Sequence, residues 1–248
     1  MLTECERGIR WLEFSILKGY PVKQGVFLRD GGVSVGPYES LNISDGVGDK
    51  EEAVVENRLR VQEVLEVERL YFTKQVHGKE LFLVDKETSE VAVADGLMTR
   101  EKNIGLGIQH ADCQAAIFYD KRRHLLATAH AGWRGNVLNI YKETVERLEK
   151  EFQTKVDDLL VCIAPSLGPD HAEFIDYKSL FPKEFWSFQV RENYFDLWQI
   201  ARFQLESLGI PREQIEIASL CTYCHEKDFF SYRRNKVTGR NVTVATLL

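Results

Sequence analysis

The chain has 248 residues, 44% hydrophobic and 28% charged, with a formal net charge of −6 at pH 7. That balance describes a globular protein able to bury a sizeable core, and the negative charge without basic blocks argues against nucleic acid as a partner. No apolar run reaches the roughly 20 residues that span a bilayer, so no membrane role is expected. Five cysteines, odd in number and unevenly spread, do not form a secreted disulfide framework. The start, Met1-Leu-Thr-Glu-Cys-Glu-Arg7, carries acids where a signal segment wants positive charge. The expectation is a reducing cytoplasm with free thiols.

In chain order, residues 26–29 read as a short strand running into the Gly-rich loop Asp30-Gly-Gly-Val-Ser34 to Ser40-Leu-Asn42. Asp49 is placed to cap a helix over 50–65, with Val54, Val55, Leu59, Val61, Val64 and Leu65 as its apolar stripe. Residues 70–76 read as a strand ending at His77-Gly78, with 80–85 as its neighbour, and 91–99 and 104–110 continue a β-rich centre. Two apolar runs, 117–119 and 125–129, flank the polar loop Asp120-Lys-Arg-Arg123 and predict a hairpin. A helix over 137–152 follows, with Val137, Ile140, Tyr141, Val145, Leu148 and Phe152 on one side. Residues 159–164 form a buried-type strand stopped by Pro165. Asp196 caps a helix over 196–208 that Gly209 and Pro211 end, and strands are expected at 228–232 and 241–247. With no repeat, low-complexity segment or linker, the expected fold is a single α+β domain, residues 1–248, with a mixed β-sheet core flanked by helices.

Chemistry concentrates at the hairpin. Folding it about Lys121-Arg122 sets Cys113 directly opposite His130, with Cβ atoms roughly 5 Å apart; a slip of one residue would put them on opposite faces. His77, Cys113 and His130 each stand at a strand end beside small residues. Two imidazoles and a thiolate suit zinc with one position left for water or substrate. The same residues also fit a buried thiol and two hydrogen-bonded imidazoles.

His130-Ala-Gly-Trp-Arg-Gly135, with Ala111-Asp-Cys113 and Gln75-Val-His-Gly78, resembles the YfiH family, the laccase-domain proteins described as purine nucleoside phosphorylases with adenosine deaminase activity. The likeness continues through Arg29-Asp-Gly-Gly-Val-Ser34, Ser40-Leu-Asn42, Gly48-Asp49, Asn57-Arg58, Ala94-Asp95, Phe229-Phe-Ser-Tyr-Arg-Arg234 and Thr238-Gly-Arg240. It implies a fold similar to that of toxin deamidases and puts the family's His, Cys, His metal triad on His77, Cys113 and His130. The chain departs from the pattern at His110, where a small or hydroxyl residue is usual, and at Gln114-Ala115, where an apolar residue and Pro often follow the Cys.

On that resemblance the substrates are a purine nucleoside and phosphate, the metal is Zn2+, and the assembly is a monomer or small homo-oligomer. Arg29, Arg134 and Arg233 could hold phosphate through bidentate guanidinium donors, as could the amides after Trp133 at the start of the next helix; without the resemblance, a surface or structural salt bridge is the better reading of each arginine. Asp112 could shuttle protons beside Cys113 and His130. Asn42 could bind ribose or stabilise its own turn, and Trp133 could stack on a base or simply pack. Copper, which the older polyphenol oxidase label needs, is the poorer fit, since the chain has no His-x-His series. Two other readings stand beside the enzyme: a metal-free cysteine hydrolase with Cys113 as nucleophile and His130 as base, and a non-catalytic metal- or nucleoside-binding domain. Cys221-Thr-Tyr-Cys224-His225 has the form of a haem attachment motif, but attachment would require export; structural zinc is a further reading, though no second Cys-x-x-Cys pair completes a four-cysteine site, and the family pattern favours a packing role.

Overall fold

Every residue of the strand after Cys113 is buried, which requires cover on both faces. The computed structural model, describing residues 1–248, supplies it with four layers: helix, sheet, sheet, helices. In chain order the elements are β1 (Leu2–Glu6), β2 (Ile9–Glu13), β3 (Val22–Phe27), α1 (Glu51–Leu65), β4 (Arg69–Tyr71), β5 (Leu81–Leu83), β6 (Gly96–Thr99), β7 (Ile104–His110), β8 (Gln114–Asp120) and β9 (Leu125–Ala131). They continue with α2 (Trp133–Leu138), α3 (Ile140–Phe152), β10 (Leu159–Ile163), α4 (Tyr177–Leu180), β11 (Gln189–Arg191), β12 (Tyr194–Phe195), α5 (Leu197–Ser207), β13 (Ile215–Ile217) and β14 (Asn241–Leu247).

Two mixed six-stranded sheets form, ordered β1-β2-β3-β14-β7-β4 and β13-β10-β8-β9-β6-β5, with β11-β12 as a separate ribbon. The α+β class stands, with two mixed sheets rather than one. Val26, Leu106, Ile108 and Ala245 of the first sheet meet Ala115, Ile117, Tyr119 and Leu126 of the second in one core between the sheets. The outer face of the second sheet, through Ala116, Phe118 and Ala129, packs on Ile140, Tyr141 and Val145 of α3 and on Ala201 and Leu205 of α5. The outer face of the first packs on Val61, Val64 and Leu65 of α1.

Several elements differ from expectation for identifiable reasons. Asp49 does not cap α1: Lys50 is the N-cap residue and makes no side-chain cap bond. The Asp49 carboxylate instead accepts from Ser34 Oγ and Asn42 Nδ2. Val55 and Leu59 are exposed, leaving the narrower stripe Val54, Val61, Val64 and Leu65. Residues 81–83 pair with β6 in the second sheet, so they are not neighbours of β4. The expected helix over 137–152 is two, broken at Asn139, whose φ of 55° is left-handed and whose side chain caps α3 by accepting from Lys142 N. Asp196 does cap α5, accepting from Gln199 N. No strand forms at 228–232, where the Asn241 amide substitutes for a partner strand by accepting from Phe230 N and donating to Phe230 O.

The hairpin register runs from Gln114 opposite Ala131 to Asp120 opposite Leu125, around a turn at 121–124. His130 therefore faces Ala115 and not Cys113. The error is two residues, one full side-chain period, so Cys113 and His130 remain on one face.

The Gln114 side chain, completely buried, donates to Leu197 O and accepts from Asn136 Nδ2 and Tyr141 Oη. It ties β8 to α2, α3 and α5 and does not point into the site. Replacing Gln114 by Leu leaves Tyr141 Oη without a partner in the core and takes one partner each from Leu197 O and Asn136 Nδ2, the latter keeping only a 3.4 Å bond to Gly132 O. The expected cost is about 3 kcal/mol, since each unmet buried group costs roughly 1–3 kcal/mol, read as a lowered urea midpoint with the metal content of the folded protein unchanged.

Candidate metal centre

The site lies where the chain crosses between the sheets. β7 belongs to the first and β8 to the second, and Ala111-Asp112-Cys113 joins them. The chain makes the same crossing between β4 and β5, and His77 lies on that link. Both crossings bend sharply: φ is 60° at His77 and 89° at Asp112, left-handed values that side-chain-bearing residues adopt only when held. The holding groups are visible. Asp95 accepts from the amides of Val76, His77 and Gly78 at 3.0, 2.9 and 2.7 Å. The Asp112 carboxylate accepts from Thr222 Oγ1 at 2.7 Å and from Arg233 N at 2.6 Å. Gln75 reaches back to β7 through both its amide atoms, bonding Gln109 N and O, which is why regular pairing stops after Tyr71.

One donor atom each from His77, Cys113 and His130 lies within 4.8 Å of the other two. Cys113 Sγ is 3.9 Å from His77 Nε2, and the two imidazoles meet edge-on at 4.8 Å between centroids. His130 Nδ1 bonds Asp95 Oδ1 at 2.9 Å, leaving Nε2 for the cluster. A carboxylate on the far nitrogen is the usual support of a metal-bound histidine. The space is tight on the β9 side: a Cβ at Gly132 would come within 2.8 Å of His77 Cδ2 and 3.1 Å of Cys113 Sγ. Soft sulfur, two borderline nitrogens, an exposed flank at His77 and a carboxylate-braced imidazole together fit a tridentate ion with one accessible position.

Electrostatics agree. Burial pushes the Cys113 thiol up, but the charge and hydrogen bond of His130 and the hydrogen bond of His77 outweigh it and bring it down to about 6. Burial depresses His130, while Cys113 and Asp95 overcome that and raise it to about 9. Burial works against ionisation of Asp95, yet the hydrogen bonds from His130 and the 76–78 amides hold its carboxyl below the usual range. Burial, with the His130 charge added, drives His110 down to about 3, so this buried imidazole, bonded through Nε2 to Thr243 Oγ1 at 2.9 Å, is neutral.

Two cavities adjoin at the cluster and share His77, Ala111, Cys113 and Tyr232. One, of about 400 Å³, is mostly apolar, with Trp133, Phe174, Leu167 and Leu197 in its walls and Arg233 and Lys236 at its edge. The other, of about 670 Å³, is polar, with Lys74, Gln75, Gln109, His110 and Arg240.

The residues expected to bind substrate divide. Trp133 and Arg233 line the apolar cavity, although the Arg233 guanidinium already donates to the carbonyls of His171 and Glu173. Arg134 is exposed and lies over the Trp133 ring at 5.2 Å. Arg29 and Asn42 line neither cavity. Arg29 donates to the carbonyls of Glu39 and Glu226 and covers Phe230, while the buried Asn42 bonds Ser44, Asp49 and the Arg240 amide. Both hold loops. Asp112 reaches the apolar cavity, but both carboxylate oxygens are engaged, a poor arrangement for shuttling protons. The motifs quoted from the sequence contain Asp95 and Arg240 without assigning them a role. A lone acid beginning an otherwise apolar strand was the available signal for Asp95.

The depressed Cys113 thiol yields a pH test. Only the thiolate is alkylated, so reactivity climbs as pH rises through the pKa and falls below it. In chelator-treated protein, iodoacetamide labelling of Cys113 followed by peptide mapping should rise through about pH 6 rather than near 9. A profile centred near 9 would contradict the thiolate–imidazolium pairing.

Residues 23–248 match the family described as "Multi-copper polyphenol oxidoreductase laccase". A protein of Bacteroides thetaiotaomicron named "Purine nucleoside phosphorylase" is 33% identical over 246 residues, 91% of each chain. The Escherichia coli protein "Purine nucleoside phosphorylase YfiH" is 31% identical over 94% of this chain and 98% of its own. The crystal structure of YlmD from Geobacillus stearothermophilus superposes with a TM-score of 0.89 at 31% identity, covering 99% of this chain and 98% of that one. With its fold and its sequence both in agreement with these relatives, the chain belongs to the laccase-domain family that includes YfiH and YlmD.

Proposed function

We propose that residues 1–248 form one zinc-dependent enzyme domain that cleaves purine nucleosides with phosphate, giving free base and ribose 1-phosphate from adenosine or inosine, with adenosine deamination as a side activity. The observation that carries this reading is the position of the His77–Cys113–His130 cluster at the junction of an apolar cavity and a more polar one lined by Lys74, Arg240 and Asp45. The relatives' names point to the same reaction class. A purine fits the apolar cavity, where Trp133 and Phe174 offer aromatic faces. Phosphate fits the polar one, where Arg240 spends Nη1 on the carbonyls of Thr238 and Gly239 and turns toward the same space as Lys74. The ribose then spans the shared wall. A phosphate oxygen bonds to C1′ as the bond from C1′ to the base breaks, and the bonding pair leaves with the purine. Zinc bound at the cluster would supply a Lewis acid and a bound water acidic near pH 7, the nucleophile that deamination requires. The domain works in the cytoplasm as a monomer or small homo-oligomer, with no membrane or nucleic-acid partner; no helix is long and apolar enough to cross a membrane.

One observation supports a second reading. Asp95, His130 and Cys113 stand in the order of an orienting acid, a base and a thiol nucleophile, the arrangement of a metal-free cysteine hydrolase.

The test uses untagged protein, with zinc measured alongside release of base from adenosine and inosine, with and without phosphate. Release should require phosphate, and Cys113→Ala should lose the zinc of this site and at least 100-fold in rate. Metal-free protein that still releases base would overturn the proposal, and hydrolysis indifferent to phosphate would favour the hydrolase. Asp95→Asn, which replaces the charge behind His130, should weaken zinc at this site 10- to 100-fold in competition with a chromogenic chelator.

A further inference from the structure

A second constellation lies away from the reaction site. The turn after β13 carries Cys221-Thr-Tyr-Cys224, and the loop after β10 carries His171. Backbone bonds from Ser166 N to Leu220 O and from Thr222 N to Ser166 O align the two segments. His171 Nδ1 is thereby placed 3.8 Å from Cys221 Sγ and 3.5 Å from Cys224 Sγ. All three donor atoms lie within 4.8 Å of one another, and both thiols are free.

We propose that His171, Cys221 and Cys224 form a second, structural zinc site, distinct from the His77–Cys113–His130 cluster. Around a tetrahedral ion with Zn–S near 2.3 Å and Zn–N near 2.0–2.1 Å, sulfur and nitrogen stand roughly 3.6 Å apart. The two observed separations bracket that value before any ion draws the ligands together. Two groups brace the ligands. The Tyr223 ring stacks on His171 at 4.0 Å and 18°, holding the plane of the imidazole. The Gly168 amide donates to Cys221 Sγ at 3.2 Å. A side chain at Gly168 would strike Cys221 Cβ at 2.9 Å, so the loop can approach the sulfur only with glycine there. Cys221 is buried and Cys224 exposed, which leaves the fourth position facing solvent, with the exposed Asp170 carboxylate close enough to act on Cys224.

The ion would clamp the wall behind the apolar cavity. The His171 and Glu173 carbonyls anchor the Arg233 guanidinium, and Thr222 and the Arg233 amide hold Asp112, one residue before Cys113. Zinc at the second site therefore fixes the loops from which the first is built, without touching substrate.

The experiment measures zinc per chain in untagged protein purified with a reductant. Wild type should hold about two ions. Cys224→Ser and His171→Gln should each hold about one and melt at lower temperature. Cobalt loaded into Cys113→Ala, whose first cluster has no sulfur, should give sulfur-to-cobalt charge-transfer bands that Cys113→Ala/Cys224→Ser lacks. Cys224 is exposed, so its replacement leaves the fold intact, and circular dichroism checks this. Zinc content unchanged in both single variants, cobalt bands absent from folded Cys113→Ala, or a Cys221–Cys224 disulfide in reductant-purified protein would each overturn the proposal.

Discussion

A single buried carboxylate holds the site together. Asp95 has no exposed surface, and an ion placed there costs several kcal/mol unless its oxygens are met. They are met by three successive amides of one sheet-crossing link and by the imidazole of His130 at the end of β9. The same charge that braces His130 thus fixes the backbone of His77 in its left-handed turn. Two of the three ligands take their position from one side chain that is not a ligand.

The third ligand is fixed from the opposite direction. Asp112 is the counterpart of Asp95 on the other crossing, its oxygens drawn to Thr222 and to the Arg233 amide. Cys113 follows directly and is therefore aimed by a contact with the C-terminal loops. Gly132 completes the enclosure, since any larger residue would occupy the space between His77 and the sulfur. Cys113 and His130 sit where strands begin or end and His77 on the link between two, and the acids and amides around them supply the hydrogen bonds that regular pairing leaves unmade there.

How much of this the sequence disclosed depended on range. β7 and β14 follow local pattern closely because they are apolar-rich runs of strand length buried almost throughout, and α5 because its Asp196 cap is an ordinary start signal. The convergence of Cys113 and His130 was legible from a hairpin, and it survived a register error because that error was even. The N-terminal strand, exposed at every position, has no buried face to betray it. Long-range side-chain contacts misled most. Gln75 and Asn241 each substitute for strand partners far along the chain, and Asp49 is drawn from its helix by Ser34 and Asn42. Arg29 and Asn42 had the right chemistry for substrate, but Arg29 donates to the Glu39 and Glu226 carbonyls, and Asn42 accepts from the Arg240 amide while donating to Ser44 and Asp49. Asp95 is the reverse case, unremarkable in one dimension and central in three.

Because both links that carry ligands pass from one sheet to the other, no fragment of the chain contains the site. Neither sheet alone brings residue 77 to residue 113, and the bracing carboxylate stands just before β6 of the second sheet while the amides it holds lead out of the first. Closing these long loops is entropically expensive and comes only when the sheets dock. An ion gripped by all three side chains would bind only a finished molecule and, by mass action, draw the population toward it. On the proposed function, loading becomes an assay of maturation: a chain stalled with its sheets apart has nothing with which to grip a metal.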